Sequence, residues 1–159
     1  MPLKRIVRLI ALATLLITAS GCSGVYPYKN DLDKNLTVRT RLSSGSAFTS
    51  VKARLDIYGV DDACDRTYRG SVYLKRPEVE IGLPAGGANY LTFVFASSSC
   101  LAGTSGATGF DGYFRTRPGY DYIADARYDD GIYNVILKER KDGSNKLREL
   151  EFGGCTPKP

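Results

Sequence analysis

From Leu36 onward the chain alternates between apolar and polar positions. Leu36, Val38, Thr40 and Leu42 are separated by Thr37, Arg39 and Arg41; Val51, Ala53, Leu55 and Ile57 by Lys52, Arg54 and Asp56. A period of two marks a strand with one buried face. Ser43-Ser44-Gly45-Ser46 turns the chain between these two runs. Short strands are predicted around Arg69–Lys75 and Val79–Leu83, with a reversal at Pro84-Ala85-Gly86-Gly87. Tyr90–Ala96 is apolar on both faces, as a central strand would be. Ser97–Gly109 is rich in small residues and reads as a long mobile loop.

The second half repeats the pattern. Phe110–Arg117 is a strand ending at Pro118-Gly119, a type II turn pair. Tyr120, Tyr122, Ala124, Ala126 and Tyr128 then share one face, while Asp121, Asp125, Arg127 and Asp129 share the other, with Ile123 the exception. Asp130-Gly131 predicts a hairpin returning through Ile132–Arg140, and Asp142-Gly143 turns into a last strand, Lys146–Phe152. No helical period appears. About seven or eight short strands with frequent turns predict an all-β fold, an antiparallel β-sandwich, with a small barrel as the alternative.

The first residues follow a different rule. Lys4, Arg5 and Arg8 precede an apolar stretch from Leu9 to Ile17, and Thr18-Ala19-Ser20-Gly21 leads to Cys22. A basic start, a short apolar core and small residues at a cut site make a secretory signal; about 20 apolar residues would be needed to span a membrane. A Cys directly after the cut resembles the lipobox of bacterial lipoproteins. The resemblance implies that Cys22 is acylated, carries three chains as its only non-protein group, and begins the mature protein. By the same resemblance Ser23, rather than Asp, after the Cys implies outer-membrane sorting. The expected organisation is a signal peptide over 1–21, a lipidated Cys and flexible tether over 22–35, and one β-sandwich domain over 36–159.

Charge changes little. The whole chain carries a net +5, but the signal takes Lys4, Arg5 and Arg8 with it. The remainder has 19 basic residues against 17 acidic, a balance of +2, interleaved as in Lys138-Glu139-Arg140-Lys141-Asp142. That is a solvated surface rather than a nucleic-acid footprint.

Three cysteines remain after lipidation: Cys64, Cys100 and Cys155. An oxidising compartment favours one disulfide and leaves one thiol. The expected pair is Cys64–Cys100, with the tail around Cys155 flexible enough to reach either partner or another protein. With no His in the chain and no close Cys pair, no metal site is expected.

The lack of His also excludes Ser–His and Cys–His nucleophile designs. Gly103-Thr104-Ser105-Gly106-Ala107 misses the spacing of a nucleophile elbow. Asp121, Asp125 and Asp129 lie along an extended strand rather than in a calcium loop. Glu78 and Glu80 share a face, but this is ordinary for a strand. No enzyme is expected. The eleven tyrosines are mostly sheet packing, with a minority available as a Tyr/Arg contact surface. Tyr113, with Arg115 and Arg117, is the leading candidate.

The order of landmarks resembles small Gram-negative lipoproteins: Cys22, Cys64, Leu83-Pro84-Ala85-Gly86, Cys100 and the passage from Phe114 to Tyr122. The resemblance implies location and fold, without an activity. The expectation is a periplasm-facing, membrane-anchored module that docks onto another envelope protein and has no nucleic-acid partner. The alternative is an inhibitor of a lysozyme-type enzyme, inserting Ser97–Gly109 with Arg115, or a small-ligand-binding lipoprotein.

Overall fold

The computed structural model describes residues 25–100 and 103–156. Strands β1 (Leu36–Ser43), β2 (Thr49–Val60), β3 (Arg66–Tyr73), β4 (Glu78–Ile81), β5 (Ala88–Ser99), β6 (Ser105–Arg115), β7 (Tyr120–Asp129), β8 (Ile132–Lys141) and β9 (Leu147–Leu150) form two sheets. One has the order β4-β1-β7-β8-β9, the other β3-β2-β5-β6. The sheets stay open and face each other, so the fold is a β-sandwich and not a barrel.

The alternation sets which sheet face is buried. Leu36 and Val38 of β1, Leu55 and Ile57 of β2, Leu91, Phe93 and Phe95 of β5, and Tyr122, Ala124 and Ala126 of β7 all point into one shared core. The intervening charged residues cover the two outer faces. On the five-stranded sheet they pair across strands: Arg39 with Glu78 (3.0 Å), Lys138 with Asp125 (2.8 Å) and Arg140 with Asp121 (2.8 Å). Ile123 has Thr37 and Lys138 as its cross-strand neighbours and is buried there.

Three expectations change. The sheet pairing is not wholly antiparallel, because β1 lies parallel to β7 from Leu36↔Tyr122 to Ser43↔Asp129. Parallel neighbours need a long connection, and here the chain builds the whole opposite sheet between them. Second, Ser97–Gly109 is mostly strand: β5 and β6 remain paired out to Ser98↔Ser105. Small residues fill the ends of this hairpin without interrupting its ladder, which leaves no long inserting loop.

Third, the described part of the expected tether is docked. Pro27 bridges Ser71 in parallel, and Ser71 N–H donates to Tyr26 O while Tyr28 N–H donates to Ser71 O, both at 2.9 Å. The Tyr28 hydroxyl donates to Gly82 O (2.7 Å), and Asn30 Oδ1 accepts from Gly82 N (2.8 Å). Gly70 makes this approach possible. Its φ is +125°, and an added Cβ would lie 2.6 Å from Tyr28 Cα. The segment covers the outer edge of β3, which an unprotected sheet would leave open.

Candidate contact surface

Strand β6 places the leading sequence candidates. Even-numbered residues near its end face the core: Phe114 packs edge-on to Tyr122, with ring centroids 5.2 Å apart, and to Phe152 at 6.3 Å. Phe152 fits only because residue 112 is Gly, where a Cβ would come within 2.1 Å of its ring. Tyr113 and Arg115 therefore point outward together. Arg117 lies beyond the strand end: its guanidinium is 4.0 Å from the centre of the Tyr120 ring and pairs with Glu139.

Glu139 is buried, with only 4% of its surface exposed, yet each carboxylate oxygen is paired with a guanidinium. Oε2 accepts from Arg117, and Oε1 lies 2.8 Å from Nη2 of Arg148. This bond to Glu139 is the main influence holding the Arg117 guanidinium above its ordinary pKa. Tyr113, Arg115, Arg117, Glu139 and Arg148 line a shallow recess of about 250 Å³. It joins the three predicted residues, but its arginines are largely committed to a structural carboxylate.

A larger feature crosses the whole four-stranded sheet. Tyr68, Tyr58, Tyr90 and Tyr113 are successive cross-strand neighbours on β3, β2, β5 and β6. Tyr26 extends the row over the β3 edge. Ring centroids are 4.7 Å apart for Tyr26–Tyr68, 5.3 Å for Tyr58–Tyr68 and 6.1 Å for Tyr58–Tyr90. The Arg66 guanidinium sits 3.4 Å from the Tyr90 ring centre, a cation–π geometry. Burial raises the phenol pKa values of Tyr58 and Tyr90, and nearby carboxylates add to it: Asp56 for Tyr58, Asp111 for Tyr90. Below the row, Ser71 bonds both Asp56 and the Tyr68 hydroxyl, and Asp56 holds Arg54 (2.7 Å).

The outer edge of β6 is open. Tyr113 O accepts from Gly153 N (2.9 Å) on the side away from β5. Alternate residues Ala107, Gly109 and Asp111 turn their backbone groups the same way, and among the described residues no backbone group pairs with them. This stretch carries no Pro, Lys or bulge to block a neighbour.

The disulfide is Cys64–Cys155, not Cys64–Cys100. Cys64 follows β2 at one end of the sandwich, whereas Cys100 follows β5 at the end where Ser99 pairs with Thr49. β2 has 12 residues, so those ends are roughly 36 Å apart, and a bridge needs Cα atoms within about 7 Å. Cys100 is free and exposed, its thiol 3.2 Å from Phe48 O. Cys22 lies outside the described residues.

The weaker sequence candidates stay apart from any joint chemistry. Asp121 and Asp125 are each tied to a cation, as is Glu78, and among the described residues no group of three or more acidic or Cys side chains is placed to hold a metal. No family model, curated protein or solved structure matches the chain.

Proposed function

We propose that the protein is a non-enzymatic lipoprotein of the cell envelope that docks another envelope protein by strand addition. In this reading Cys22 carries the acyl chains, and the sandwich faces the periplasm from the outer membrane. The observation that carries the docking role is the open edge of β6, with Ala107, Gly109 and Asp111 presenting backbone groups that have no backbone partner among the described residues. An extended segment added there gains main-chain hydrogen bonds along the strand, and the small side chains let it approach closely. Tyr113 and Arg115, at the end of the same edge, supply side-chain contacts of the types enriched at binding hot spots.

The test is cross-linking in intact envelopes followed by affinity purification. Wild type is compared with Cys22→Ser, which removes the lipid, and Ala107→Pro, which removes an outward N–H while leaving the β5 ladder intact. A stoichiometric partner lost in both variants supports the reading. Equal capture by Ala107→Pro refutes strand addition.

A further inference from the structure

We propose that the tyrosine row is a membrane-contact surface, and that the outer face of the four-stranded sheet rests on the lipid headgroups of the bilayer holding the Cys22 acyl chains. The proposal rests on the lipoprotein reading and adds an orientation to it.

Chain length gives the first argument. The docked segment begins so early that only four residue steps separate Cys22 from Tyr26, a reach of at most about 14 Å even when fully extended. Tyr26 is the first ring of the row, 4.7 Å from Tyr68. An acylated Cys22 thus brings the interface to the β3 end of this face, and the domain has no slack to stand away from it.

Side-chain chemistry gives the second. Tyrosine has an apolar ring and a polar tip, the combination favoured at a membrane–water boundary. The face also carries Lys52, Arg54, Arg66 and Arg115 against Asp56 and Asp111. The excess of cations suits anionic headgroups, to which each basic residue near the surface adds attraction. The opposite outer face lacks both features. Acidic residues outnumber basic ones there, three of its cations are held in cross-strand pairs, and no tyrosine points outward from β1, β7 or β8 among the described residues. Laid on its tyrosine face, the sandwich directs the β6 edge sideways along the membrane, with Tyr113 and Arg115 at the corner between face and edge, so that a neighbouring membrane protein meets the edge and these two side chains at the level of the headgroups.

The test exploits the absence of Trp from the sequence. Full-length, processed protein bearing a single Tyr26→Trp, Tyr113→Trp or Ile132→Trp substitution is reconstituted into vesicles of mixed zwitterionic and anionic lipids containing brominated acyl chains. Mass spectrometry first establishes acylation. Quenching at Tyr26→Trp follows from the short tether alone. The proposal requires comparable quenching at Tyr113→Trp, on the far edge of the sheet, and little at Ile132→Trp. A further Arg66→Glu/Arg115→Glu change should reduce the Tyr113→Trp signal and leave the Tyr26→Trp signal in place. If Tyr113→Trp does not fold, Arg115→Trp reads the same end. Quenching confined to Tyr26→Trp, or equal at Ile132→Trp, overturns the face-down orientation while the acyl mass stands. Absence of the acyl mass overturns this proposal and the lipoprotein reading together.

Discussion

Breaking the Cys64–Cys155 bridge should remove a large part of the stability of this domain. The two cysteines are 91 residues apart, and the bond joins the loop between β2 and β3 of one sheet to the tail that follows β9 of the other. It therefore closes a loop that contains β3 to β9 in the unfolded chain. The chain-entropy relation gives about 4.6 kcal/mol for a loop of this size. Domains are usually stable by only about 5–15 kcal/mol. The clean perturbation is Cys155→Ser, because Cys64 sits at φ +71°, where a substitution would also alter backbone strain. Urea unfolding of the oxidised protein is the assay. With a slope of about 2 kcal/mol per M, the midpoint should fall by about 2 M. Cys100→Ser, at an exposed free thiol, should change the stability by no more than about 0.5 kcal/mol, a midpoint shift of about 0.25 M at the same slope. The reasoning is refuted if Cys155→Ser unfolds at the wild-type midpoint, or if Cys100→Ser is the damaging change.

Gly70→Ala should destabilise the fold by about 1–3 kcal/mol, because the new Cβ meets backbone at a positive φ. Limited proteolysis should then cut between residues 25 and 35; unchanged protection there would contradict the docking of that segment. Arg117→Ala and Arg148→Ala should each be mild alone, because Glu139 keeps one partner. Together they leave a buried carboxylate unpaired, at a cost of about 3–5 kcal/mol; a double-mutant cycle showing simple additivity would refute the shared-carboxylate account. Burial is the largest influence raising the Tyr28 phenol pKa, with Asp31 adding to it and Arg69 opposing it. The folded state thus holds this proton more tightly than the unfolded chain. The resulting stabilisation is complete below the unfolded value of about 10 and is lost as pH rises through the folded one. The urea midpoint should fall between pH 9 and pH 11, with a shallower fall in Tyr28→Phe; an equal fall in both would assign the effect elsewhere.

The period-two pattern carried most of the architecture. Leu36–Leu42, Val51–Ile57 and Tyr120–Tyr128 each place their alternate residues in the core, because burial of one sheet face is a local property of the strand. Features that depend on pairing between distant strands were not legible. The row Tyr68–Tyr58–Tyr90–Tyr113 exists only in the register of four strands, including a shift between Ile57 and Tyr58, and no spacing within one strand encodes it. The β6 edge was hidden because Ser105–Gly109 has the composition of a loop; its strand conformation comes from the β5 ladder. The Cys64–Cys155 pairing is hidden for a related reason: distance along the sequence does not reveal that β2 separates Cys64 from Cys100 by its full length. Tyr113 and Arg115, two residues apart on β6, share its outward side as the period of two requires, whereas Arg117 belongs to the Glu139 cluster because the chain turns after Thr116.

The most direct test of the docking account is site-resolved photo-cross-linking in intact envelopes. A photoreactive side chain is placed at Gly109 on the β6 edge or, for comparison, at Arg127 on the outer face of the five-stranded sheet. The account predicts one discrete protein adduct from position 109 and none from position 127. Adducts from position 127 alone, or none from position 109, would contradict it.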